Sequence, residues 1–192
     1  MSQPAIVVVD MLKDNVDLDS PYGIGDEGRK IIPDIQRLLK FAREKNIPVV
    51  FANDSFLPDD FLFKGRLKPH CIQGTVGAEV IDELKPHQGD LILPKRKMSA
   101  FFKTGLEDTL RARGVDTIVV CGISTPGCVM STAIDALMND FYIIVIEDCC
   151  AAPRRPEHEN AIKVLRSAHI PLGPLFNVMT LENFMSSPDL SQ

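Results

Sequence analysis

No stretch of this 192-residue chain is apolar for long enough to cross a bilayer, so no membrane contact is expected. Basic residues are not in excess either. Lys and Arg number 21 against 26 Asp and Glu, a formal net charge of -5. A protein that tracks nucleic-acid phosphates usually carries a basic face, so nucleic acid is not an expected partner. No charged leader precedes the first apolar run, AIVVVD, and a signal peptide is not expected. Cysteine occurs five times, an odd number, with Cys149 and Cys150 adjacent. That is a poor disulfide framework; it points to reduced thiols and a cytoplasmic protein. DMLKDNVDL, after the first apolar run, contains no G-x-G-x-x-G, which argues against a dinucleotide cofactor. Internal repeats and low-complexity linkers are also missing.

What remains is the composition of a soluble globular protein, 45% hydrophobic and 24% charged. The length suits one domain over residues 1–192. Short runs rich in Val and Ile recur at AIVVVD (5–10), IPVVFAND (47–54), DLILP (90–94), DTIVVCG (116–122) and FYIIVIEDCC (141–150), with a weaker one at 174–180. They lack polar alternation, as strands buried on both faces do. EGRKIIPDIQRLLKFAREKN carries apolar residues at helical spacing, with Pro33 near its first turn. GAEVIDELK, LEDTLRARG, CVMSTAIDALMND, PEHENAIKVLRSAH and LENFMSS predict further helices, and Gly114 is a C-terminal stop. Strands alternating with helices imply an α/β fold: a three-layer α/β/α arrangement around a six-stranded parallel sheet. The long irregular region from Ser55 to Val76 reads as a site wall or lid.

In such sheets ligands bind beyond the carboxyl ends of the strands. Those ends hold Asp10, Asn53–Asp54, Lys95, the Gly122–Cys128 turn and Glu147–Asp148. With a Rossmann-like strand order 3-2-1-4-5-6, strands one and four are neighbours and Asp10 lies beside the Cys128 turn. Cys128 itself precedes a predicted helix, where unpaired amides and the helix dipole favour the thiolate. A buried carboxylate beside a thiol is a candidate base, and a nearby lysine supports both ionised forms. Each residue also has a plainer reading: a buried cysteine, an aspartate capping a turn, a solvated basic edge at Lys95, Arg96 and Lys97.

Four ordered blocks make the combination more specific: VVVDM, HCIQGTVGAEV, KRKMSAF and GISTPGCVMSTAIDA. Through them, from residue 5 to about 152, the chain resembles the isochorismatase-like cysteine hydrolases, the superfamily of nicotinamidases and N-carbamoylsarcosine amidases. The resemblance implies a catalytic Asp10, Lys95 (rather than Lys97) and Cys128. It also implies a cis peptide bond at Ile123–Ser124, with the backbone N–H groups of Ser124 and Cys128 as the oxyanion hole. The expected reaction is cleavage of a small amide or ureido C–N bond through a thioester. The presence of Cys128 argues against the vinyl-ether-cleaving branch.

Nicotinamidases of this superfamily hold a metal through Asp-x-His and a further histidine. Here Asp54 and His70 align with that set, but Phe56 replaces the middle histidine. No cofactor is therefore expected, a zinc-type ion at Asp54 and His70 being the alternative. His87, His158 and His169 read as solvent-exposed. Phe56, Phe61, Phe63, Phe101 and Phe102 are candidate walls of a small-molecule pocket. Of these, Phe56, Phe101 and Phe102 are the named substrate contacts, and Arg66, Arg154 or Arg155 would meet a substrate carboxylate. Relatives assemble as homodimers or homotetramers, and the 55–75 segment is the candidate contact. Three other readings compete: a metal-dependent nicotinamidase, a ligand-binding member of the fold without catalysis, and a receiver-type phosphorylation switch, which would need a second acidic residue beside Asp10.

Overall fold

The computed structural model describes residues 3–17 and 23–187, with the side chains of 168–170 left out. Six strands form it: β1 (Pro4–Val9), β2 (Val49–Asp54), β3 (Leu91–Lys95), β4 (Thr117–Ile123), β5 (Tyr142–Ala151) and β6 (Phe176–Met179). All pairings are parallel, as the alternating pattern implies, and the order is β3-β2-β1-β4-β5-β6, the Rossmann-like order expected. β1, β2 and β4 are buried at every position, which is why their sequences show no polar alternation.

Two apolar layers flank the sheet. On one face Val7, Val9, Val50, Ala52, Ile118 and Val120 pack against helices α4 (Leu106–Arg111), α5 (Met130–Met138) and α6 (Arg155–Leu172). On the other, Ile6, Val8, Phe51 and Val119 meet α3 (Ile32–Glu44) and α7 (Leu181–Met185). Two shorter helices complete the set, α1 (Lys13–Val16) and α2 (Asp26–Lys30). Pro33 lies in the first turn of α3, where its missing N–H has no intrahelical partner to lose. Gly114 ends the α4 region at φ +72. Among the described residues no helix is long and apolar enough to cross a membrane.

Two local expectations need correction. GAEVIDELK is not a helix but a pair of 3-10 turns, Val76–Ala78 and Asp82–Leu84. The residues between them pair with the chain after β1. Lys13 N donates to Glu79 O at 2.9 Å, Ile81 N to Met11 O at 3.1 Å, and Leu12 bridges Val80. Backbone groups taken by that bridge are not available to a helix. Glu147 and Asp148 do not lie at the end of β5 either, because the strand runs on to Ala151 past a register shift against β4. They are used structurally: Glu147 meets Arg166 of α6 at 2.5 Å and Asp148 takes the Leu181 amide at 2.8 Å.

Candidate active site

Two close backbone approaches build the site. Val9 and Gly122 are partners across β1 and β4. Gly122 has φ +108, and a Cβ there would stand 2.1 Å from Val9 O, so only glycine fits. Immediately after Val9 the chain turns: Asp10 takes φ +54, and its carbonyl accepts the Leu12 amide at 2.8 Å and the Asn15 side-chain amide at 3.1 Å. Aspartate tolerates this left-handed conformation better than most residues. Immediately after Gly122 comes Ile123–Ser124, whose peptide bond is cis.

Asp10, Lys95 and Asp54 interlock in the interior, each at most 5% exposed. Lys95 Nζ lies 2.8 Å from Asp10 Oδ2 and 2.5 Å from Asp54 Oδ1. The Asp54 amide donates to Asp10 Oδ1 at 2.7 Å. Cys128 Sγ and carboxylate oxygens of Asp10 and Asp54 all lie within 4.8 Å of one another. The sequence blocks therefore bring Asp10, Lys95 and Cys128 together; Asp54 joins them as a carboxylate shared by the same ammonium.

One ammonium between two carboxylates leaves excess negative charge in a buried space. Burial, and then the charge of Asp10, push Asp54 up to about 7 against the opposing pull of Lys95. Burial alone would lower Lys95, but Asp10 and Asp54 outweigh it and hold the lysine charged. Burial raises the Cys128 thiol well above its usual value, Asp10 raises it further, and Lys95 only partly offsets them. The helix-terminus and lysine effects that favour the thiolate are thus outweighed, and Cys128 lies as a thiol beside a carboxylate able to take its proton.

All five cysteines are free, and Cys128 is the one that is not fully buried. It sits in the turn Thr125–Val129, kinked at Gly127, just ahead of α5. The Gly127 and Val129 amides both donate to Ser124 O, at 3.0 and 3.2 Å. The Ser-Ala-Phe block after Lys95 is pinned to α5, where Thr132 Oγ1 accepts the Ala100 amide at 3.0 Å.

The remaining candidates fall elsewhere. Phe56 is 2% exposed, in a small cluster with Leu12 and Cys71, its ring 5.2 Å from Phe63 and 5.6 Å from His70. Phe101 packs into the core against Phe141. Phe102 is about half exposed and lines a cleft of about 410 Å³ with Lys95, Arg96, Lys97 and Lys103. His70 Nδ1 hydrogen-bonds Lys68 O at 2.9 Å. Among the described residues, the ligand-type cluster containing Asp54 includes Asp10 and Cys128 but not His70. Arg66 is exposed, and Arg154 and Arg155 pair with Glu157 and Glu159 along α6. His87 is exposed, whereas His169 lies outside the described side chains. His158 corrects its expectation: it is half-buried, with Nδ1 2.8 Å from Thr125 Oγ1. Sequence gives no signal for that pairing, nor for Asp54 as a partner of Lys95.

The fold, the ordered blocks and this buried cluster define a class, and comparison with known proteins bears it out. The sequence model of the isochorismatase domain matches residues 4–180, and the chain belongs to that family. It is 29% identical over 167 residues to maleamate amidohydrolase of Pseudomonas putida, covering 82% of this chain and 76% of the relative. An isochorismatase-like hydrolase from Alkaliphilus metalliredigens superposes with TM-score 0.87 at 33% identity, over 96% of this chain and 98% of the other. N-carbamoylsarcosine amidase from Thermoplasma acidophilum superposes with TM-score 0.79 at 34% identity, over 95% and 98%. The chain is an amidohydrolase, acting on carbon–nitrogen bonds other than peptide bonds.

Proposed function

We propose that this protein cleaves a small amide or ureido (carbamoyl) C–N bond through a thioester on Cys128, in the manner of an N-carbamoylsarcosine amidase and without a resident metal. The observation that carries the reading is the buried Lys95 ammonium bridging Asp10 and Asp54 beside the Cys128 sulfur.

The steps follow from those positions. Asp10 takes the Cys128 proton as sulfur attacks the substrate carbonyl. Coupling the two events suits a thiol whose own ionisation is disfavoured. The Ser124 and Cys128 amides face the developing oxyanion, which is commonly the largest electrostatic contribution in acyl transfer. Lys95 holds Asp10 in orientation and offsets the sulfur's negative charge. Asp10 then returns its proton to the leaving amine. Water, deprotonated by Asp10, resolves the thioester and frees Cys128.

The metal-free part rests on Asp54. Its carboxylate already faces a fixed ammonium, and the middle histidine of the nicotinamidase pattern is Phe56, packed in an apolar cluster. Catalytic zinc usually takes three protein ligands. The three ligand-type groups that do meet around Asp54, its own carboxylate with Asp10 and Cys128, are the base and nucleophile of this reading, and the Lys95 ammonium already occupies the space against both carboxylates.

Ammonia release from a panel of small amides and ureides, with and without chelator, tests the reading. Chelator-insensitive turnover of a carbamoyl or simple amide substrate is expected. Nicotinamide hydrolysis that stops on chelation would overturn the metal-free assignment, and undiminished turnover by Cys128→Ala would overturn the mechanism.

A further inference from the structure

Helix α6 touches the nucleophile turn through His158. Its Nδ1 lies 2.8 Å from Thr125 Oγ1, across 33 residues of sequence. Thr125 is fully buried, so its hydroxyl has no water to turn to if that partner is lost. It stands directly after Ser124 and three positions before Cys128, between the cis bond and the Gly127 kink. Pro126 offers no N–H with which to tether the turn. The Thr125 hydroxyl is therefore a side-chain anchor for the segment that carries both amides assigned to the oxyanion.

His158 is placed to hold that anchor. It opens on a cleft of about 420 Å³ whose charged lining is Glu27 and Lys30 of α2, Glu147 and Asp148 of β5, and Arg155 of α6. Burial, and then Arg155, lower its pKa from the usual histidine value, while Glu147, Glu159 and Glu27 oppose them. Their balance favours the neutral ring. A neutral imidazole has one acceptor nitrogen and a threonine hydroxyl has one hydrogen, so a single bond satisfies both.

We infer that His158 is a positioning residue for the hydrolysis: its Nδ1 accepts the Thr125 hydroxyl hydrogen and fixes the turn that presents the Ser124 and Cys128 amides. The inference rests on the thiol-hydrolase reading above. An oxyanion exists only once sulfur has attacked, so loosening its donors lowers kcat and leaves substrate binding intact.

The test uses the full chain, the amide turned over fastest in the panel, and four substitutions. His158→Leu and Thr125→Val remove the bond. His158→Asn keeps a polar atom near the Nδ1 position, and Thr125→Ser keeps the hydroxyl. The first two should lower kcat roughly 10- to 100-fold, less than the 10²–10³ of losing an oxyanion donor outright. KM should change by less than about twofold. The second two should recover most of kcat. His158→Leu combined with Thr125→Val should be no worse than Thr125→Val alone, because both cut one contact. Wild-type kcat in His158→Leu, or no recovery in a folded His158→Asn, overturns the inference. Should His158→Leu fail to fold, Thr125→Val against Thr125→Ser decides the question in the same way.

A second readout separates this idea from the hydrolase reading. Iodoacetamide labelling of Cys128, followed by mass spectrometry, needs no substrate. If no amide is turned over, the hydrolase reading fails. A labelling rate changed in His158→Leu and restored in His158→Asn would still support the tether, and an unchanged rate would overturn it.

Discussion

Replacing Gly122 by alanine tests the joint on which the site is built. The substitution adds one methyl group at φ +108, 2.1 Å from Val9 O, 2.8 Å from Val9 N and 3.0 Å from Val9 C. These are backbone atoms of a fully buried strand, so no side chain can swing away. Holding a non-glycine residue in this conformation costs about 1–3 kcal/mol. Overpacking adds about 1–3 kcal/mol more. For a chain of this size each kcal/mol lowers Tm by about 2–4 °C, so a loss on the order of 10 °C is expected. Gly89→Ala is the control. Gly89 has a similar φ of +100 with nothing within 4 Å of its Cβ position, so it carries the conformational cost without the collision. Thermal unfolding followed by circular dichroism reads both variants, and the gap between them isolates the clash. Turnover should fall in Gly122→Ala even below its melting range, because Val9 leads into Asp10 and Gly122 into Ser124. Equal melting temperatures for the two variants, with full activity in Gly122→Ala, would refute the reasoning.

Cys128→Ala should abolish ammonia release while Tm stays close to wild type, as measured by a coupled ammonia assay and calorimetry; Cys128 is half-buried and its removal leaves no charge unpaired. Lys95→Met leaves Asp10 and Asp54 without their cation and should cost about 3–5 kcal/mol in urea unfolding, partly recovered by adding Asp54→Asn. Asp54 has a folded pKa raised from 3.8 to about 7, so its contribution is fully present below about pH 4 and is lost as pH rises through 7. Measured against Asp54→Asn, wild type should therefore lose roughly 4 kcal/mol of stability across that window, at about 1.4 kcal/mol per pH unit. A flat or rising difference curve would show that Lys95 keeps Asp54 ionised throughout.

Much of the fold could be read locally. Every one of the six apolar runs is a strand of the sheet. In β1, β2 and β4 burial on both faces leaves a continuous signature that needs no knowledge of partners, whereas the edge strand β3 is only partly buried. The parallel pairing followed from the alternation with helices, and the strand order matches the Rossmann-like one expected. Asp10, Lys95 and Cys128 stood out locally only as residues at strand ends and before a helix; their catalytic roles, and the choice of Lys95 over Lys97, came from the resemblance carried by the ordered blocks. Helical periodicity misled once, at GAEVIDELK. There Val80 and Ile81 belong to a bridge with the chain after β1, and a pattern within nine residues cannot register a partner far outside it.

What the sequence determined by itself, then, is the set of elements and the chemical types available at their ends. Tertiary structure alone decided which groups share an environment. Asp54 meets Lys95 across 41 residues, Lys95 meets Asp10 across 85, and His158 meets Thr125 across 33. Protonation states follow from those encounters and not from residue type. Burial and neighbouring charge make Cys128 a resting thiol and bring Asp54 close to neutrality, and both causes exist only after the strands have been brought side by side.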